Sequence, residues 1–150
     1  MTPEEKINAI FAEFAASLSL DPQGLVLAYD YACLAVDQAR VLHFRLLPDS
    51  AALDVFMELG PVPPAVRREV CEDMLQGNVL FQATEGAALG LDRERGLAVA
   101  SLRLDVDGLD AAKFKDRLES FLNMAEFWSG RLAGGLSDAT APGNDNFLRV

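Results

Sequence analysis

The spacing of hydrophobic residues changes along this chain, and that change constrains the fold more than any other feature. Before Ser19, large apolar residues recur every three or four positions, which is typical of one face of an α-helix. Between Cys33 and Gly60 they fall at every second position, which is typical of strands with one buried face. Short polar connections separate three such runs, so we predict a helix followed by a three-stranded antiparallel meander.

The first helix carries a clear start signal. Thr2 can act as the N-cap, Pro3 suits the first helical position, and Glu5 stands three residues after the cap, which is the capping-box pattern. We expect the helix to end near Ser19, before the turn residues Asp21 and Pro22.

The rest of the chain shows both spacings again, the helical one and the alternating one of strands. A second helix is expected around residues 66–75, with Gly77 near its end, and a β-hairpin over residues 87–104. Asp110 is a plausible cap for a third amphipathic helix that reaches Leu132. The order predicts an α+β domain in which helices pack on an antiparallel sheet. We assign residues 1–133 to this domain and expect residues 134–150 to be a disordered tail.

Composition limits the possible partners. A chain of 150 residues with 51% hydrophobic residues can bury a core without disulfides or metals. Its net charge of −10 opposes binding to nucleic acid and to anionic membranes. The N-terminus lacks a secretory signal pattern, and the most apolar stretch, residues 24–36, is shorter than the ~20 residues of a membrane-spanning helix. We therefore expect a soluble cytosolic protein.

The sequence offers no catalytic constellation and no metal site. His43 is the only histidine, and it alternates with apolar neighbours as a half-exposed strand residue would. Cys33 and Cys71 lack zinc-ligand spacing and are expected to be buried thiols. We predict no catalytic residue, no metal and no cofactor. Large residues such as Met124 and Phe127, off the main stripe of the third helix, either complete the core or face a partner.

Several local strings, in this order, resemble the Tir chaperone (CesT) family, the small acidic chaperones of type III secretion. The resemblance spans about Pro3 to Leu132 and begins with the opening amphipathic helix. The strings that carry it are Leu59–Pro63, Met74–Asn78, Leu89–Asp92, Arg95–Gly96, Leu102–Asp105 and Phe121–Trp128.

The resemblance implies an α+β homodimer in the bacterial cytoplasm. Such a protein binds the N-terminal chaperone-binding segment of a secreted effector, here called the client, keeps it locally unfolded and helps target it to the secretion apparatus. The second helix would form the dimer contact, through Val66, Val70 and Met74. The first helix and the sheet would contact the client, through Phe11, Phe14, Leu34, Phe44 and Val55.

Two alternatives stay open at this point. The same scaffold could be a generic protein-interaction domain that binds a folded partner. It could also be a small enzyme that uses His43. The sequence does not name the client or give the number of clients.

Overall fold

The computed structural model describes residues 1–134 of the chain. Five strands form one sheet in the order β1-β2-β3-β5-β4, and the pairs β1–β2, β2–β3 and β4–β5 are antiparallel. The predicted α+β fold is thus confirmed. The helices are α1 (Pro3–Ser17), α2 (Arg67–Asn78) and α3 (Ala111–Gly134), and the strands are β1 (Tyr31–Ala35), β2 (Val41–Leu47), β3 (Ala52–Pro61), β4 (Ala88–Asp92) and β5 (Leu97–Asp105).

Local capping explains where α1 and α3 begin. The Glu5 N–H donates to the Thr2 hydroxyl (3.1 Å) and the Thr2 N–H donates to the Glu5 carboxylate (2.8 Å), so both bonds of the predicted capping box form. At α3 the Lys113 N–H donates to the Asp110 carboxylate at 2.8 Å. Helix α1 ends at Ser17, two residues before the predicted end.

The chain divides into two compact units, and the first comprises Met1–Phe56 with Arg103–Glu119. Its core is aromatic. The Phe11 ring lies 5.0 Å from that of Phe44 and 5.7 Å from that of Phe114, and all three residues are fully buried. Helices α1 and α3 thereby contact one face of the sheet through tilted ring contacts with Phe44.

The second unit comprises Met57–Leu102 and the chain from Ser120 onward. The Trp128 indole N–H donates to the Ala83 carbonyl at 2.9 Å. A Cβ atom on Gly77 would lie 2.6 Å from Trp128 Cζ2. Gly77 therefore lies inside α2 because only glycine lets the indole approach the helix this closely.

Two local expectations differ from the structure, and the position of two further residues, left open by the sequence, is decided by it. Strand β1 begins at Tyr31, two residues before Cys33, where the alternating pattern starts. Cys33 is exposed and Cys71 is half-buried, so the expectation of two buried thiols is wrong, because neither side chain faces a fully enclosed core. Met124 is fully buried, whereas Phe127 is half-buried.

The boundary of a single domain at residue 133 stays a prediction. The tail expected to be disordered lies, from residue 135 onward, outside the described residues.

Candidate protein-binding surfaces

Strand β1 is an edge strand, and part of its backbone is open to a partner. The Val36 N–H donates to the Arg40 carbonyl (3.0 Å) and the Leu46 N–H donates to the Asp30 carbonyl (2.8 Å), so the backbone groups of even-numbered residues face β2. Successive residues of an antiparallel strand alternate in direction. Among residues 1–134, none pairs with the outward N–H and C=O of Cys33 and Ala35, so these groups face the open side of the sheet.

An apolar cavity of about 210 Å³ is lined by Leu34 of this same edge strand. Its other lining residues come from the end of α1 and from the segment that follows it, namely Phe14, Ala15, Leu20, Asp21, Gly24 and Leu25. Small-molecule sites usually enclose about 300–1,000 Å³, so this cavity matches an apolar side chain better than a cofactor.

The residues predicted to contact a client separate into two groups. Phe14 and Leu34 line the cavity. Phe11, Phe44 and Val55 are fully buried in the first unit, where a partner reaches them only if the core opens. Client contact by any of the five stays a prediction, and the geometry favours Phe14 and Leu34.

The apolar loop Leu25–Tyr31 has no helical or strand pattern, so the sequence alone indicates an exposed patch there without placing it beside a strand edge. We call the exposed apolar residues before and after β1 the apolar rim. Large apolar residues on both sides of β1 are exposed, which single-sequence periodicity did not indicate because several lie in irregular segments. They are Leu18, Leu20, Val26, Tyr29, Tyr31, Val36 and Val41. Tyr29 is fully exposed. The only sequence signal for this is its position just before the strand.

His43 lies on the opposite face of the sheet from the Phe44 core. Its ring stacks on Phe56 at 4.9 Å with an interplanar angle of 11°. Burial raises the pKa of the Tyr31 hydroxyl, and this hydroxyl lies 2.5 Å from His43 Nδ1, to which it can donate. Both contacts are cross-strand packing contacts, and the half-exposed position predicted for His43 is confirmed.

An ion network occupies the same face. Asp54 is 9% exposed and accepts from Arg103 Nε at 2.6 Å and from Arg45 Nη2 at 3.0 Å. The hydrogen bonds from Arg103, assisted by Arg45, hold the pKa of the Asp54 carboxyl below its ordinary value although burial opposes this. The aspartate therefore stays ionised, and the network is a structural link between β2, β3 and β5.

A second apolar surface lies on α2 and the 3₁₀ turn after it, Val79–Phe81. Of the predicted dimer residues, Val66 is 41% exposed, whereas Val70 and Met74 are buried within this chain. The residues that α2 and the turn do expose are Leu75 (66%), Val79 (40%), Leu80 (64%) and Phe81 (56%). We call Leu75 and Val79–Phe81, at the C-terminal end of α2, the α2 patch, and Val66 lies just before the other end of the helix.

Within residues 1–134, no three His, Cys, Asp or Glu side chains are grouped so that they could hold a metal ion. No helix in that range is long and apolar enough to cross a membrane. An open strand edge, a side-chain-sized cavity and an exposed apolar patch define a protein-binding domain.

The CesT family profile, described as the Tir chaperone protein (CesT) family, matches residues 9–129. The chain belongs to this family, the chaperones that serve effectors of type III secretion.

Solved structures support the same fold. The chain is similar to a chain of the ExsC–ExsE complex, with a TM-score of 0.72 and 21% identity over 88% of this chain and 97% of that one. It is similar to a chain of the HopA1–SchA chaperone–effector complex, with a TM-score of 0.67 and 21% identity over 83% and 94%. A third match is the Yersinia pestis type III secretion chaperone SycH in complex with a fragment of YscM2, with a TM-score of 0.61 and 18% identity over 79% and 95%. Among curated protein sequences, none matches this chain.

Proposed function

We propose that this chain binds the N-terminal segment of a secreted effector in the bacterial cytoplasm, keeps that segment extended and helps bring it to the type III secretion apparatus. One observation carries the proposal: the open backbone groups of Cys33 and Ala35 lie on the strand that also lines the apolar cavity. Family membership and the chaperone–effector complexes among the similar structures support it.

The edge and the cavity fit a single binding mode. An extended segment can add to β1 through main-chain hydrogen bonds at Cys33 and Ala35. The client residue opposite Leu34 then points its side chain to the same face as Leu34. Because Leu34 lines the cavity, an aliphatic side chain at that client position can be buried there.

This mode selects for an unfolded client. A folded domain has its strands already paired, whereas an extended segment has free backbone groups to offer. Ordering such a segment costs conformational entropy, which burial of apolar side chains has to offset. The cavity and the exposed apolar rim supply that area. The acidic chain also favours client segments that carry positive charge.

We propose no chemical step and no cofactor. The enzyme alternative placed its general base at His43. The Nδ1 atom of that residue is engaged with Tyr31 and its ring stacks on Phe56, so its observed contacts serve packing on a sheet face.

We also propose a homodimer formed through the α2 patch. Because Val70 and Met74 are buried, we move the expected contact from them to Leu75, Leu80 and Phe81. Val66, before the N-terminal end of α2, stays a predicted contact outside this patch. A two-fold interface would bring the same patch of both protomers together. Exposed side chains of this size are otherwise costly on a soluble protein.

The client edge can be tested by replacing Cys33 with proline. The chain is co-expressed with the product of the neighbouring gene, truncated to its N-terminal portion, and affinity is then measured by calorimetry. Cys33→Pro removes the open N–H without removing a bond to β2, so we expect about fivefold or greater loss of client affinity. Cys33→Thr keeps the N–H and is the matched control. Its affinity should equal that of the original chain, and urea unfolding checks that both variants are folded.

Two results would count against this proposal. If the N-terminal portion fails to co-purify while a folded part of the same product does, the chain is a general interaction domain. If Cys33→Pro binds as tightly as Cys33→Thr, the client does not use the β1 edge.

A further inference from the structure

A short segment of the chain already occupies one end of the β1 edge. The Ala28 N–H donates to the Tyr31 carbonyl at 2.8 Å, and the Tyr31 N–H donates to the Ala28 carbonyl at 3.1 Å. This pair closes a two-residue hairpin over Tyr29 and Asp30. The outward backbone groups of Tyr31 are therefore paired within the chain, and the open part of the edge begins at Cys33.

The hairpin has a backbone conformation that its residues do not favour. Tyr29 has φ 52° and Asp30 has φ 62°, the left-handed values of a type I′ turn. Such turns normally contain asparagine and glycine. The Tyr29 side chain is fully exposed, so its own packing does not hold this geometry. Conformations of this kind persist where the surrounding structure holds them, and they concentrate at binding sites.

The residues before the turn are fixed against the rest of the first unit. Leu25 and Leu27 are buried, and the Leu27 N–H donates to the Asn8 side chain of α1 at 2.9 Å. Val26 and Ala28 are exposed, so residues 25–28 alternate as a strand does. We call residues 24–30 the strap. It folds back outside β1, and its residues Gly24 and Leu25 also line the cavity.

We infer that the strap sets the register of the client strand. The inference rests on the proposed function and adds a specificity-determining element to it. Because the strap holds the edge at Tyr31, client pairing starts at Cys33 and continues to Ala35. The same segment forms a wall of the cavity next to Leu34. The client is therefore expected to present a short extended stretch whose aliphatic residue lies between the two residues that pair with Cys33 and Ala35.

Paired variants of the turn test this inference without removing a packing contact. Tyr29→Pro forces φ to about −65°, which the type I′ turn cannot accept, so the strap is released from Tyr31. The double variant Tyr29→Asn with Asp30→Gly supplies the residues that this turn prefers and fastens the strap. The probe is a twelve-residue peptide of alternating serine and leucine with lysines at both ends. Amide hydrogen exchange followed by NMR reads each position.

In the free chain we expect the Tyr31 amide to exchange slowly and the Cys33 and Ala35 amides to exchange fast. The peptide should protect Cys33 and Ala35 in the original chain and in the fastened variant. In Tyr29→Pro it should also protect Tyr31, and its affinity should rise about fivefold because one more residue can pair.

The inference is overturned if the Tyr31 amide of the free original chain exchanges as fast as that of Cys33. It is also overturned if Tyr29→Pro leaves peptide protection limited to Cys33 and Ala35. A failure of the proposed edge has a different signature: the peptide then protects neither Cys33 nor Ala35 in any of the three proteins. That result would contradict both client binding at the β1 edge and the role of the strap.

Discussion

The two exposed apolar regions of this chain offer a partner different chemistry. The β1 edge presents open N–H and C=O groups beside a small cavity. The α2 patch presents large side chains on a helix whose backbone bonds are made internally. A strand edge accepts any extended segment with a suitable alternating pattern, whereas a helix face needs a surface of complementary shape. The edge therefore suits a variable client, and the α2 patch suits an invariant partner such as a second copy.

Both regions also contain consecutive non-glycine residues in the left-handed conformation. In the strap these are Tyr29 and Asp30, and after α2 they are Leu80 and Phe81. In the strap, the turn satisfies backbone groups of the edge strand. After α2, the turn leaves two large apolar side chains exposed. The same left-handed conformation thus shortens the open part of the β1 edge and adds exposed apolar side chains to the α2 patch.

The largest expected effect comes from charging the α2 patch. Replacing Leu75 and Phe81 together with aspartate should weaken dimerisation at least a hundredfold, about 3 kcal/mol, because two carboxylates would be buried in the seam. Sedimentation velocity over a range of concentrations measures this shift. Aspartate tolerates the left-handed conformation at position 81, so the monomer should stay folded.

The matched control is Val26→Asp, which charges an exposed apolar residue of the strap and should leave the dimer intact. If the double variant still forms the dimer, the α2 patch is not part of the dimer interface. Val70→Asp is a poor test because Val70 is buried, and its loss would unfold the monomer.

A smaller effect is expected from Gly77→Ala. The added Cβ would lie 2.6 Å from Trp128 Cζ2, and overpacking of this kind outweighs the gain in helix propensity. We expect the free energy of unfolding, measured in urea, to fall by about 1–2 kcal/mol. Gly130→Ala in α3 is the control, because nothing lies within 4 Å of its added Cβ. It should stabilise by up to about 1 kcal/mol, and equal effects at both glycines would contradict close packing at Gly77.

The smallest expected effect is that of Asp54→Asn, and it depends on pH. The pKa of Asp54 is lower in the folded chain than in the unfolded one, because Arg103 and Arg45 donate to the carboxylate. Its stabilisation is therefore present above the unfolded value of about 3.9 and is lost as pH falls through the folded value. We expect the variant to lose about 1 kcal/mol at pH 7, since both arginines are exposed, and the difference to shrink in acid.

Urea unfolding at pH 7 and at pH 3 gives this comparison. Client affinity should not change, because the network lies on the face of the sheet away from the cavity. If the variant binds the client more weakly although its free energy of unfolding is unchanged, that face of the sheet belongs to the client site.

Elements specified by neighbouring residues were predictable. Thr2 and Glu5 gave the start of α1, and alternation gave the three-strand meander and the hairpin. The same alternation points Cys33 away from Leu34, which indicates an exposed thiol, whereas the apolar character of a thiol favours burial. The strap was missed because only four residues alternate and the turn at Tyr29 and Asp30 lacks the usual asparagine and glycine.

The surfaces were less predictable than the elements. Phe11, Phe44 and Val55 have the same character as Phe14 and Leu34, yet only the latter two line the cavity. The face of α2 that the sequence marks as apolar, with Val70 and Met74, is turned inward, and Leu75 is left exposed beside it. No periodicity distinguishes these cases, because each depends on residues distant in the chain.

By itself, therefore, the sequence determined the order of helices and strands, their main boundaries and the family resemblance, since these depend on caps, turns and side-chain period within a few residues. The tertiary structure alone decided which apolar side chains stay exposed and where the sheet edge is open. Exposure depends on what packs against a residue, and in this chain that neighbour is supplied by elements far away in sequence, as Trp128 is for Gly77.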